Sequence, residues 1–192
     1  ESAMNQRKGD TLLTVGILTI SDRGAQGVYA DQSGPALQKV VTEQLGARVI
    51  CTDIVPDERA LIADKLREWA DELKVHLILT TGGTGFAPRD ITPEATGDVI
   101  ERDAPGFAEA MRAAGMKVTP HAMLSRARAG IRGRSLIINL PGSPKAAVEN
   151  LQSVLAAIPH GVELLQEAAG ADDRHTYREE GRSGPAHPPA RE

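Results

Sequence analysis

Two aspartates and one glycine-rich turn are the residues whose types and spacing could do chemistry. Asp57 lies in Pro56-Asp57-Glu58 and Asp90 in Pro88-Arg89-Asp90, with Thr81-Gly82-Gly83-Thr84-Gly85 between them. Backbone N–H groups of a glycine turn can cradle phosphate oxygens because no side chain blocks the approach. Magnesium is usually held by one or two carboxylates together with substrate phosphates, so two acids and such a loop suit a nucleotide-phosphate site. Each feature also has a plain structural use. Asp57 can cap a following helix, worth about 1 kcal/mol, and the glycines can serve only to supply positive φ angles. Spacing alone leaves both uses open.

Several chemistries are disfavoured. A Walker loop closes on Gly-Lys-Ser/Thr, whereas Gly85 is followed by Phe86; a dinucleotide fingerprint counted from Gly83 and Gly85 needs glycine or alanine where Pro88 stands. His76, His121, His160, His175 and His187 show no metal-ligand spacing, so no transition metal is assigned to them. No Ser-His or Cys-His signature calls for a covalent nucleophile. A single cysteine, Cys51, excludes an intramolecular disulfide and a multi-thiolate metal site, and points to a reducing, cytoplasmic compartment.

These residues need elements to hold them. Thr14 to Ile20 reads TVGILTI, a β-branched run of the kind buried on both faces of a parallel sheet. Asp31 or Ser33 can cap the next helix, in which Leu37, Val40, Val41 and Leu45 keep helical spacing until Gly46. A second strand is expected over Arg48 to Val55, then a helix with Ile62, Leu66, Trp69 and Leu73 on one face. A short strand from Leu77 runs into the glycine turn, and a helix starts at Thr92 with Pro93 in its first turn. Another helix follows Pro105, with Phe107 and Met111 on its apolar side. Residues 136–139 read as a further strand, broken by Pro141-Gly142 before a helix carrying Val148, Leu151 and Leu155. This alternation predicts an α/β fold: three α/β/α layers around a mostly parallel sheet. Its strand ends carry Ser21-Asp22, Asp57, the glycine turn and Pro141-Gly142-Ser143, and ligands of such sheets bind at carboxyl ends. Residues 1–13 and 170–192 read as disordered flanks of a single domain over 14–169.

Charge adds a second constraint. The 192 residues carry 22 Lys plus Arg against 26 Asp plus Glu, a net charge of -4, and 3% are aromatic. Nucleic-acid binding as the main task is disfavoured, since the phosphate backbone is met by basic excess and single strands by stacked aromatics. No apolar run reaches the roughly 20 residues of a membrane helix. The average hides an asymmetry: residues 110–148 contain no acid but carry Arg112, Lys117, Arg126, Arg128, Arg132, Arg134 and Lys145. Such a stretch is either solvated surface or part of a pocket for a small polyanion.

The motifs become specific when taken together. LTTGGTGFAPRDITPEAT at 79–96, with ILTISD and PDE upstream and AMLSRARAGIRGRSLIINLPGSPKA at 122–146, closely resembles the molybdopterin adenylyltransferase family, which includes bacterial MogA and the gephyrin G domain. The resemblance runs from about Thr14 to Leu165. It implies a homotrimeric enzyme that transfers AMP from Mg-ATP to the terminal phosphate of molybdopterin, releasing pyrophosphate. It implies that Asp57 and Asp90 are the catalytic acids that position Mg2+ and nucleotide. Gly82, Gly83, Thr84 and Gly85 would hold phosphate or pterin, with Ser21, Asp22, Thr92, Ser125, Arg126, Pro141, Gly142 and Ser143 lining the pocket. Molybdenum insertion would then belong to a separate protein. The alternative is a non-catalytic molybdopterin-binding carrier or scaffold of the same fold, against which the presence of both Asp57 and Asp90 counts.

Overall fold

A computed structural model describes residues 12–166, and the flanks expected to be disordered lie almost wholly outside them. Strands Thr14–Ile20 (β1), Arg48–Val55 (β2), Leu77–Thr81 (β3), Arg102–Asp103 (β4), Ala129–Arg132 (β5) and Ser135–Leu140 (β6) form one sheet in the order β2-β1-β3-β6-β5-β4. Neighbours from β2 to β6 pair in parallel, whereas β5 is antiparallel to both β6 and β4.

Successive side chains of a strand point to opposite faces, and that alternation builds both apolar layers. Val15 and Ile17 of β1, Leu77 and Leu79 of β3, and Leu136, Ile138 and Leu140 of β6 share one cluster. It is covered by helices Ser33–Leu45 (with Leu37 and Val41), Pro105–Met116 (Met111), Pro144–Val154 (Leu151) and Ile158–Leu165 (Ile158). Leu18, Ile78 and Ile137 face the other way, against Ile62, Leu66 and Trp69 from the region of helix Arg59–Arg67 and Ala95 from helix Thr92–Gly97. Counting the four-residue helix Asp22–Ala25 as α1, these helices are α2 (33–45), α3 (59–67), α4 (92–97), α5 (105–116), α6 (144–154) and α7 (158–165). Each buried Leu or Ile contributes about 1.5–3 kcal/mol. The expected three-layer architecture is the one observed.

The chain leaves β1 through α2 toward β2 at the sheet edge, then returns through α3 to β3 on the other side of β1. Connections diverge between β1 and β3, so a crevice opens at their carboxyl ends.

Two features depart from expectation. The helical face of Ile62, Leu66 and Trp69 does not continue to Leu73, which is 47% exposed. A wide π turn at Glu68–Glu72 follows α3 and changes the angular spacing. Gly16 makes room for Trp69 there: a Cβ on it would lie 2.7 Å from the indole and 2.9 Å from the Cys51 sulfur. Burial pushes the Cys51 thiol up to about 11. The second departure is the β4–β5 edge. Its strands are short, and β5 turns back into β6 through Gly133, whose φ is +54°.

A buried polar knot ties the sheet to α4. Asn139 on β6 has no solvent exposure; its amide donates to the hydroxyls of Thr80 (2.9 Å) and Thr96 (2.8 Å), and its carbonyl accepts the Arg128 N–H (3.1 Å). Removing Asn139 strands all three partners in a dry interior and opens a cavity. Asn139→Ala is therefore expected to lower unfolding free energy by about 2–4 kcal/mol in a urea titration. An unchanged midpoint would contradict the role assigned to the knot.

Candidate functional site

The crevice closes because the ends of β1, β3 and β6 pack backbone against backbone. Gly82 sits at φ +108°, and a Cβ there would run into the Ile20 carbonyl oxygen. Its N–H donates to the Leu140 carbonyl (3.1 Å), joining β3 to the end of β6. Its carbonyl accepts the hydroxyl of the fully buried Thr92 (2.9 Å), and the Thr92 N–H donates to the Gly83 carbonyl (3.0 Å). Gly83 has φ +63°, and any side chain on it would strike the Thr92 hydroxyl and crowd Asp57 Oδ1. Gly142 lies against the Gly82 Cα, while the Thr81 hydroxyl donates to the Pro141 carbonyl (2.7 Å). The structural use of these glycines, left open by spacing, is thus real: they fuse three strand ends.

Onto this floor the turns after β1 and β2 bring two carboxylates that grip each other's backbone. The Asp22 N–H donates to Asp57 Oδ2 (3.0 Å) and the Asp57 N–H donates to Asp22 Oδ1 (3.0 Å). Ser21 starts the same turn as the cap of α1, its hydroxyl oxygen accepting the Gly24 N–H (3.0 Å). The cap role considered for Asp57 is not what it does here, since its carboxylate turns to Asp22. Burial pushes the Asp57 carboxyl above the usual carboxylate range; the Asp22 N–H opposes this, the carboxylates of Asp22 and Asp90 add to it, and Arg89 opposes it. Asp90 folds back on its own loop, accepting the Ala87 N–H (3.0 Å) on Oδ2.

Together these residues line a cleft of about 430 Å³. Ser21, Asp57, Gly82, Gly83, Asp90, Gly142 and Ser143 face it, whereas Gly85 is not in its lining. Thr84 and Thr92 are buried beneath the loop, and Asp22 and Pro141 hold its frame through the bonds above. Asp90 also borders a shallower hollow with Phe86, Glu94 and Arg126. The polar face carries two residues that motif reading did not assign to a site. Asp31 accepts the Thr19 hydroxyl (2.7 Å) and the N–H groups of Ser33 (3.0 Å) and Gly34 (3.1 Å), so the expected cap of α2 also lines the cleft. Tyr29 stands beside it, half-exposed, with the Arg23 guanidinium 5.6 Å from its ring centre.

The basic stretch contributes no cation to the lining of this cleft. No Lys or Arg is among the described residues lining the 430 Å³ cleft. Arg126 spends its guanidinium on the carbonyls of Gly85 (2.7 Å) and Asp90 (2.7 Å) and on the Glu94 carboxylate. Arg112 donates to the carbonyls of Ser125 (3.3 Å) and Ala127 (3.1 Å), which places Ser125 in a frame rather than in the cleft lining. Arg128 pairs with Asp103, Arg132 with Asp71 and Lys145 with Glu149. Most of these acids precede the stretch in sequence, so four of its seven positive charges meet an acid in space. Arg126 acts from behind the loop, tying both ends of 85–90.

Comparison with known proteins identifies the class. The family described as "probable molybdopterin binding domain" matches residues 16–160, and the chain belongs to it. Among relatives, the molybdopterin adenylyltransferase of Helicobacter pylori (strain ATCC 700392 / 26695) is 50% identical over 152 residues, spanning 79% of this chain and 86% of its own. That of Escherichia coli (strain K12) is 42% identical over 167 residues, spanning 80% and 86%. A crystal structure of the molybdopterin biosynthesis enzyme MoaB from Thermus thermophilus superposes with a TM-score of 0.77 at 49% identity, covering 81% of this chain and 98% of that one.

The packing at Gly82 makes a sharp prediction. Gly82→Ala combines a strained φ with a clash against fixed backbone and is expected to cost at least about 2 kcal/mol. Gly142→Ala meets only the Gly82 Cα at 3.2 Å, so its cost should be smaller. Denaturant midpoints of the two variants measure this; equal midpoints would contradict the fused-end geometry.

Proposed function

We propose that this chain is a molybdopterin adenylyltransferase of molybdenum cofactor biosynthesis, transferring AMP from Mg-ATP to the terminal phosphate of molybdopterin. The observation that carries the reading is the pairing of Asp57 and Asp90 over the Gly82-Gly83 turn in one cleft at the strand ends. Identity of 50% to a relative bearing that name supports it. In the reaction, an oxygen of the pterin phosphate forms a bond to the α-phosphorus of ATP. The bond from that phosphorus to the bridging oxygen breaks, and pyrophosphate leaves with the electron pair. No protein nucleophile is needed, and positioning with charge management provides the rate.

The residues divide the work. The backbone at Gly82 and Gly83 offers a surface that phosphate can approach closely, while Ser21, Gly142 and Ser143 line the same cleft. Asp57 and Asp90 fit Mg2+ in kind, being carboxylates that face one cleft, which Asp31 also lines. Held there with the nucleotide, Mg2+ would supply the positive charge against phosphate that no Lys or Arg of the cleft lining provides. Asp22, Thr92, Arg126, Ser125 and Pro141 keep this surface in shape. The same reading includes a homotrimer, a cytoplasmic location and transfer of the product to a separate molybdenum-insertion protein. Among the described residues no helix is long and apolar enough to cross a membrane.

Isosteric variants test the roles. Asp57→Asn and Asp90→Asn should each slow AMP transfer by about 100-fold or more, with molybdopterin affinity within a few-fold of the parent. Loss of pterin binding or of folding, with no separate defect in transfer, would make these aspartates structural.

A further inference from the structure

The Pro88-Arg89-Asp90 turn contributes a second charged group to the site region. Arg89 reaches back to the turn after β1, its Nε donating to Asp22 Oδ2 (2.5 Å) and its terminal nitrogen to Asp22 Oδ1 (2.8 Å). The same terminal nitrogen donates to the Asp57 carbonyl oxygen (3.2 Å). One guanidinium therefore spans the turns after β1 and β2 from the loop that carries Asp90. Asp22 and Asp57 already exchange backbone N–H bonds, so Arg89 ties the loop that carries Asp90 to a pair that is itself joined.

An ion pair as exposed as this one, with the Arg89 side chain 62% accessible, adds little to folding stability. Its geometry has another consequence. Loop 82–91 is anchored from beneath by Thr92 and from behind by Arg126, and neither of these bonds reaches the turns after β1 and β2. The side-chain bonds of Arg89 tie this loop to the turns after β1 and β2. A bidentate guanidinium fixes orientation as well as distance, which a lysine cannot do.

We propose that Arg89 is a positioning residue for the transfer reaction, setting the separation of Asp57 and Asp90 through Asp22 without touching substrate. This rests on the adenylyltransferase reading given above. A displacement of about 1 Å in a phosphoryl-transfer site can cost up to a hundredfold in rate. Arg89→Ala should accordingly lower kcat at least about tenfold, while KM for ATP stays within threefold. Guanidinium ion, added well below denaturing concentration, should restore part of that kcat, because the side chain it replaces is accessible. Arg89→Lys should retain less than half of parental kcat. Arg132→Ala, which removes an equally short bidentate pair with Asp71 outside the cleft, should keep parental kcat.

A parental kcat in Arg89→Ala, or a loss that guanidinium does not relieve, would overturn the proposal. Should the wild-type chain make no adenylylated product, the functional reading fails by itself. The positioning claim is then decided by amide hydrogen exchange. Arg89→Ala should accelerate exchange at the Asp22 and Asp57 N–H groups more than tenfold, and unchanged exchange there would refute it.

Discussion

The site depends on how closely three strand ends can approach. Gly82 lets β3 touch the Ile20 carbonyl of β1 and bond to the Leu140 carbonyl of β6, a contact that only a residue without Cβ permits at φ +108°. From that contact follow the depth of the crevice, the burial of Thr92 and the meeting of turns that are far apart in sequence. The parallel topology supplies the crevice in general terms, and this one glycine shapes its floor.

Electrostatics in the cleft run opposite to a simple expectation for a site that handles polyanions. Asp31, Asp57 and Asp90 line it, and the arginines of the acid-free stretch are committed to carbonyls and acids elsewhere. Each arginine works on architecture: Arg126 ties the glycine loop, Arg112 holds the segment before β5, and Arg132 fastens that edge to the end of the π turn. Under the proposed reading, a cleft of clustered acids suits a substrate that arrives with its cation.

Much of this is legible in the chain itself, for identifiable reasons. β1, β3 and β6 are buried on both faces, so their apolar runs are unambiguous, and the prolines in the first turns of α2, α4 and α6 mark the returns between them. Asp57, Asp90 and the glycine turn stand out because strand ends are where unusual polar residues accumulate in this fold class. The β4–β5 edge escapes such reading, since strands of two and four residues with charged ends carry too little periodicity. Leu73 is misplaced by it because a π turn shifts the helical face without a local sequence signal. The destination of each arginine is equally hidden: Arg89 meets Asp22 across 67 positions, and only the assembled sheet brings them together.

AMP transfer to a pterin phosphate at these fused strand ends, as proposed, is measured by incubating the purified chain with molybdopterin, ATP and Mg2+ and quantifying both products. Adenylylated molybdopterin and pyrophosphate should form in equal amounts, with no pyrophosphate formed when molybdopterin is left out. Molybdopterin binding without either product would contradict the proposal and leave a carrier with the same fold.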